Sequence, residues 1–371
     1  MVRAMPAART LGELLVELGR RAPWGKAWGA DPVGLQLGDP SLVADRVAVC
    51  HEVTEAVLDQ LEAEPVSLLV SYHPLLFRPT LRIVAGPTPS GRAYRLLRAG
   101  VGLAVVHTSF DVAPGGAADA LALALGVAEP RGFGPLEGPD TIKLVSFLPE
   151  DHAERVLQAV SEAGAARIGN YSHCAFRADG IGSFFAGAGS DPVVGKRAVL
   201  NREPEQRIEF VAPREREAEV VNALLAAHPY EEPAYDVYAR GGSGGLVGRI
   251  GQLEHASTLG RFAEHVSRAL EQPRPRVAGD PAREVACVAV VPGSGADFLA
   301  QAAALGADLV VTGEVSHHAA RASLDRGVAV IDAGHAPTER PGLRTLYAWL
   351  AELAPGAQSL LHHDPDPWSG S

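Results

Sequence analysis

Apolar residues along the chain follow two rhythms, and where they change marks the predicted elements. Leu11, Leu14, Leu15 and Leu18 recur at helical spacing, so Thr10–Arg21 reads as an amphipathic helix ended by Pro23 and Trp24. Short, continuous β-branched runs follow at Arg46–Cys50, Ser67–Ser71 and Gly102–Val106, with helical patterns at Thr54–Leu61, Arg92–Arg98 and Gly116–Leu125 between and after them. Uninterrupted apolar runs separated by helix-length segments predict βαβ units in a parallel sheet buried on both faces. The same cadence returns late in the chain. Strands are expected at Leu246–Ile250, Glu284–Val291, Leu309–Val311 and Val328–Ile331, with helices at Leu259–Leu270, Ala296–Leu305 and Gly342–Leu353.

Between these halves the pattern changes. Gly132–Asp140 (GFGPLEGPD) and Arg240–Gly245 (RGGSGG) read as linkers. They enclose strands at Thr141–Phe147, Ile181–Phe185, Arg207–Val211 and Tyr235–Tyr238, and helices at Asp151–Ala163 and Glu215–Ala227. That order predicts a small inserted α+β domain of the ferredoxin-like type. The fold class expected is therefore α/β, with a main domain of βαβ units in two sequence-separated halves, residues 1–131 and 244–371, and an insert at 132–243.

Chemistry collects where the apolar runs end. Ser67–Ser71 runs into Tyr72, His73 and Pro74, and Gly102–Val106 into His107 and Asp111. Leu309–Val311 is followed by Glu314, His317 and His318, and Val328–Ile331 by Asp332, Gly334, His335 and Glu339. Ligands of parallel sheets bind beyond the carboxyl ends of strands. Imidazole and carboxylate donors without nearby thiolates suit zinc, manganese or ferrous iron. Any one of these residues alone reads as well as a turn or cap residue; four strand ends of the same character favour a site. Pro337 suits a helix's first turn, which places His335 on the preceding loop and Glu339 just inside the helix. Glu314, His317, His318 and His107 are the candidates for acid/base work. Glu314 as a helix cap and the histidines as packing residues are the alternatives.

Other features carry less. Pro292–Gly295 reads as a tight turn, or as a phosphate cradle before a helix. Trp24 and Trp28 read as packing anchors or base-stacking platforms, with Lys26 the only interleaved basic residue. His362 and His363 lie in a polar, Pro-rich tail.

Composition narrows the classes. A net charge of -11 over 371 residues argues against nucleic acid or an acidic membrane as partner. Cys50, Cys174 and Cys287 are scattered and read as reduced thiols in a cytoplasmic protein. No signal-peptide pattern and no apolar stretch of membrane-spanning length, roughly 18 residues, is expected.

The strand-end blocks SYHPLLFRPT (Ser71–Thr80), HTSFD (His107–Asp111), TGEVSHHAA (Thr312–Ala320) and DAGHAPTE (Asp332–Glu339) resemble those of the Nif-three-like family, whose members are named GTP cyclohydrolase I type 2 homologues or dinuclear metal-centre proteins. GNYSHCAFRADGIGSFFAG (Gly169–Gly187) and HPYEEPAYDVY (His228–Tyr238) resemble its longer bacterial branch, whose insert is akin to divalent-cation-tolerance and nitrogen-regulatory signalling proteins. The resemblance implies a ring-like homo-hexamer with a two-metal site. In it Asp111 and Glu339 serve one ion, and His73, His335 and Glu339 the other. One departure stands out: the family's His-His-Pro is Tyr72-His73-Pro74 here, and a phenol with a pKa near ~10 is a poor ligand at neutral pH. Water, substrate, His107 or His318 could complete the short site, or the chain could hold one ion rather than two. The expected function is metal-dependent hydrolysis of a small nucleotide-like or phosphorylated substrate. The alternative is a non-catalytic metal- or nucleotide-binding regulatory assembly.

Overall fold

The computed structural model describes residues 9–137, 141–169, 171–240, 243–354 and 358–361. They form two compact units, the larger from the described residues up to Leu136 and from Gly244 onward, the smaller from those in Glu137–Ser243.

The first half of the larger unit contributes α1 (Leu11–Arg21), β1 (Gly34–Leu37), β2 (Arg46–Cys50), α2 (Glu55–Ala63), β3 (Leu68–Ser71), α3 (Pro89–Arg98), β4 (Gly102–Val105), α4 (His107–Asp111), α5 (Ala117–Ala124) and β5 (Val127–Glu137). Helix α1 starts at a reciprocal cap: the Thr10 hydroxyl accepts from Glu13 N–H, and the Glu13 carboxylate accepts from Thr10 N–H. Thr54 caps α2 through the Val57 N–H.

The smaller unit follows as β6 (Thr141–Leu148), α6 (Ala153–Glu162), β7 (Ala175–Phe185), β8 (Leu200–Pro213), α7 (Glu217–Ala227) and β9 (Tyr235–Arg240). Its sheet has the order β7-β8-β6-β9 with every pairing antiparallel. Both helices bury apolar faces in its own core, Val156 and Val160 from α6 and Val220 and Leu224 from α7, against Ile142, Leu144, Ile208 and Phe210.

The chain returns to the larger unit with β10 (Ser243–Thr258), α8 (Leu259–Ala269), β11 (Arg276–Ala278), β12 (Glu284–Ser294), α9 (Leu299–Ala304), β13 (Leu309–Gly313), α10 (His317–Asp325), β14 (Ala329–Asp332), α11 (His335–Leu353) and β15 (Gln358–Leu361). This unit has two sheets. One runs β1-β4-β3-β2-β15, parallel except for β1. The other runs β11-β14-β13-β12-β10-β5, with β12, β13 and β14 parallel. Every residue of β3, β4, β13 and β14 is buried, as continuous apolar strands covered on both faces require.

Helix α11 joins the two sheets. Leu346, Leu350 and Leu353 pack on Val47, Val49, Leu68 and Val70 of the first sheet. Its neighbour α5 buries Leu121 against Val288, Leu309 and Val311 of the second. Gly342 permits the α5–α11 approach, because a Cβ there would lie 2.7 Å from that of Ala117. The first turns of α11 thereby face the carboxyl ends of both parallel sets.

Several details depart from the sequence reading. Arg240 and Ser243–Gly245, read as linker, belong to β9 and β10, and Pro292–Ser294, read as a turn, belongs to β12. Gly132–Glu137, read as the start of a linker, belongs to β5, which lies at a sheet edge. Helix α11 begins at His335 and runs through Pro341 without a break, so His335 is helical. Asp111 ends the one-turn helix α4 instead of lying on a loop. Trp24–Asp39, read as a loop, contains β1. His362 and His363 lie outside the described residues. Among the described residues, no helix is long and apolar enough to cross a membrane.

Candidate metal centre

Strands β2 and β3 run in parallel with Cys50 opposite Ser71, so the residues just past their ends emerge side by side. Tyr72 N–H donates to Cys50 O at 2.9 Å and His73 N–H to His51 O at 3.0 Å, extending the ladder one step beyond the strands. His51 and His73 therefore leave the sheet together, their ring centroids 4.7 Å apart. Glu339, in the second turn of α11 and 3% exposed, meets both. Its Oε2 lies 2.6 Å from His51 Nε2 and 3.0 Å from His73 Nε2. Its other oxygen, Oε1, lies 3.2 Å from His335 Nε2, one helical turn back. His335 Nδ1 in turn faces Glu314 Oε1 at 3.2 Å. The donor atoms of His51, His73 and Glu339 all lie within 4.8 Å of one another, so this group could hold a metal ion.

Charge is concentrated here. Burial opposes ionisation of Glu339, but His73, His335 and His51 outweigh it and hold its carboxyl well below the usual range. Burial likewise opposes the charge on His335, and Glu339 and Glu314 overcome it, lifting its pKa to about 9. At Asp111 the compensation falls short. Burial and then the charge of Glu339 push its carboxyl up to about 7, against His107 and the Tyr72 hydroxyl, which pull it down but not enough. The Tyr72 hydroxyl donates to Asp111 Oδ1, and burial with the two nearby carboxylates raises the phenol well above its ordinary value.

The surrounding backbone is shaped for close approach. Gly293, at φ +64, sits against the site, and a Cβ there would lie 2.6 Å from Glu339 Oε1 and 3.2 Å from His335 Nε2. Its N–H donates to Thr338 Oγ1 at 2.9 Å, so at the end of β12 that donor is spent on packing. His107 (φ 31) and Glu314 (φ 56) take left-handed backbone that non-glycine residues rarely adopt. His107 is held by Asp31, whose carboxylate lies 2.7 Å from Nδ1 and accepts from the Thr108 N–H at 3.0 Å. Burial lowers the His107 pKa, and Asp31 reverses that to a net rise. The His107 ring sits 5.1 Å from that of His73.

Of the residues singled out from sequence, the fold brings His73, His335 and Glu339 into mutual contact, with Glu314 supporting His335 and His107 alongside. Tyr72 and Asp111 pair with each other. His317 and His318 are exposed on the first turn of α10, outside the metal-competent group. Sequence reasoning passed over His51 and Asp31. His51 carries the signal used for the others, since it directly follows an apolar strand. Asp31 offers none, being a lone acid in a Gly-rich segment.

A family model for Duf34/NIF3 (NGG1p interacting factor 3) matches residues 9–364. The chain belongs to the Duf34/NIF3 family. Proteins named GTP cyclohydrolase 1 type 2 homolog are similar to it: one from Mycobacterium tuberculosis is 40% identical over 343 residues, covering 89% of this chain and 88% of that protein. One from Halalkalibacterium halodurans is 35% identical over 328 residues, covering 87% and 88%. The crystal structure of a Bacillus cereus protein related to NIF3 superposes with a TM-score of 0.67 at 32% identity, covering 99% of this chain and all of that one.

The donor set of this NIF3-family chain suits one divalent ion. Two imidazoles and a carboxylate are borderline donors of the kind zinc, manganese and iron accept. The Glu339 carboxylate is buried, and its ion-pair partners among the described residues are three histidines rather than Lys or Arg. Glu339 Oε2 is shared by the His51 and His73 imidazoles, so an ion there would meet all three donors.

Proposed function

We propose that this NIF3-family protein is a metal-dependent hydrolase of a small, nucleotide-like or phosphorylated substrate. One observation carries the reading: His51, His73 and Glu339 converge at the carboxyl ends of two parallel strand sets. A divalent ion held there supplies Lewis-acid polarisation and easier deprotonation of water. The protein's own groups account for the rest. His107, oriented by Asp31, offers Nε2 beside His73 for moving a proton at the substrate. Glu314 fixes the His335 ring through Nδ1. Trp28 and Phe77, stacked with centroids 6.3 Å apart and 38% and 46% exposed, form an apolar rim beside His107 that suits a planar base. Trp24, by contrast, packs on the core as an anchor.

The test is formate release from GTP by metal-loaded protein. Turnover is expected with the native chain and its loss with Glu339→Ala. Equal signals from the two remove the cyclohydrolase reading, and a panel of phosphoesters then decides whether hydrolysis as a class survives.

A second reading, a ligand-binding regulatory assembly, draws on a cleft of about 870 Å³ in the smaller unit, lined by Glu205, Arg207, Tyr230 and the β7 strand. Under either reading we assign the smaller unit a ferredoxin-like fold from its β-α-β-β-α-β order, and propose a cytoplasmic homo-hexameric ring. Light scattering checks the assembly.

A further inference from the structure

Tyr72 and His51 are neighbours across the β2–β3 pair, one step past the last register match, with ring centroids 5.6 Å apart. They have exchanged expected roles. Tyr72 is fully buried, stands edge-on to Phe110, and spends its hydroxyl on Asp111. Asp111 is itself only 6% exposed, so the carboxylate expected to serve a second ion is instead capped by a phenol. The His51 ring reaches Glu339 instead, and its Nε2 approaches that carboxylate more closely than that of His73, 2.6 Å against 3.0 Å. Both imidazoles use the same carboxylate oxygen, Oε2, while His335 takes Oε1 and is tied back by Glu314. Among the described residues, His51, His73 and Glu339 are the one group found competent for an ion, and Asp111 is not part of it.

We infer that His51 is a metal ligand, supplying from β2 the imidazole that Tyr72 does not supply from β3, and that the centre takes one divalent ion because the Tyr72–Asp111 pair closes the second position. Deleting a histidine ligand removes a donor atom directly, whereas losing Tyr72 or Asp111 leaves all three donors in place.

This rests on the metal-binding reading of the site but not on catalysis, and the test reads stoichiometry. Chelator-stripped protein is titrated with Zn²⁺ by calorimetry, and bound zinc is counted by elemental analysis after desalting. The native chain is expected to hold one ion. His51→Ala should weaken it at least about tenfold, a cost that loss of a supporting residue alone can reach. His51→Gln, closer in volume, covers the case in which alanine unfolds the chain. Tyr72→Phe and Asp111→Asn should still hold one ion, and Tyr72→His should hold two. Two ions in the native chain, or unweakened binding in both His51 variants, overturns the inference while leaving a metal site. A Tyr72→His chain that stays at one ion overturns the closure by Tyr72. A native chain that binds no zinc, manganese or iron removes the metal reading and this inference with it.

Discussion

A single methyl group is enough to test how tightly the centre is drawn. Gly293 has left-handed backbone, and an added Cβ would lie 2.6 Å from Oε1 of Glu339, held by His335 on a carboxylate whose other oxygen is held by His51 and His73. The carboxylate cannot swing aside without breaking those contacts, so overpacking and backbone strain add. Gly293→Ala should lower stability by roughly 1–3 kcal/mol in urea unfolding and weaken ion binding. Alanine at Gly25, which meets nothing within 4 Å, is the comparison expected to cost far less. Legibility at this scale was uneven. His73, His335 and Glu339 could be read because each follows a strongly apolar strand. His51 obeys the same rule after Arg46–Cys50, but lies outside the motif blocks that carry the family resemblance. The Tyr72–Asp111 bond could not be read, since it depends on which way a buried ring turns.

At the scale of elements, the turn after α7 carries a pH-sensitive fastening. His228 is the C-terminal cap of that helix, and its N–H donates to Leu224 O at 2.9 Å. Its Nδ1 accepts from Tyr230 N–H at 3.1 Å while Nε2 lies 3.2 Å from Phe147 O on β6. That pairing assigns the proton to Nε2, and adding one at Nδ1 would set two N–H groups against each other. Burial, the largest cause, lowers the His228 pKa; the Phe147 carbonyl works against it and the nearby His152 adds to it. Folding therefore favours the neutral ring: its contribution is full above the unfolded value near ~6.5 and is lost as pH falls through the lower folded value. Thermal unfolding should show the native chain losing more stability than His228→Gln between pH 7.5 and 5.5; parallel losses would remove the role. The central strands and the helices packed on them were legible because continuous β-branched runs and 3.6-residue spacing are strong signals. The edges were not. The second half of β5, Gly132–Glu137, contains Gly132, Gly134 and Pro135 and reads as linker, yet a sheet edge is where a strand tolerates such residues. β11 and β15 span three and four residues, too few for any period to show.

Across the whole molecule, the centre joins parts of the chain that are far apart in sequence. His51 and Glu339 are 288 residues apart and His73 and Glu339 are 266 apart, with the smaller unit between them. An ion shared by these donors closes that span in the folded state and has no matching site in the unfolded chain, so its binding energy is added to folding stability. Free zinc at one hundred times its dissociation constant should add about 2.7 kcal/mol, seen as a higher thermal midpoint that a chelator reverses. Glu339→Gln should lose the response, because one oxygen of that carboxylate serves both imidazoles. His228→Gln, whose change lies in a unit with its own core, should keep the full response even if its starting midpoint is lower. A zinc response of equal size in Glu339→Gln would place the stabilising ion elsewhere in the molecule, and the strand-end centre would then have to be given up as the site that holds it.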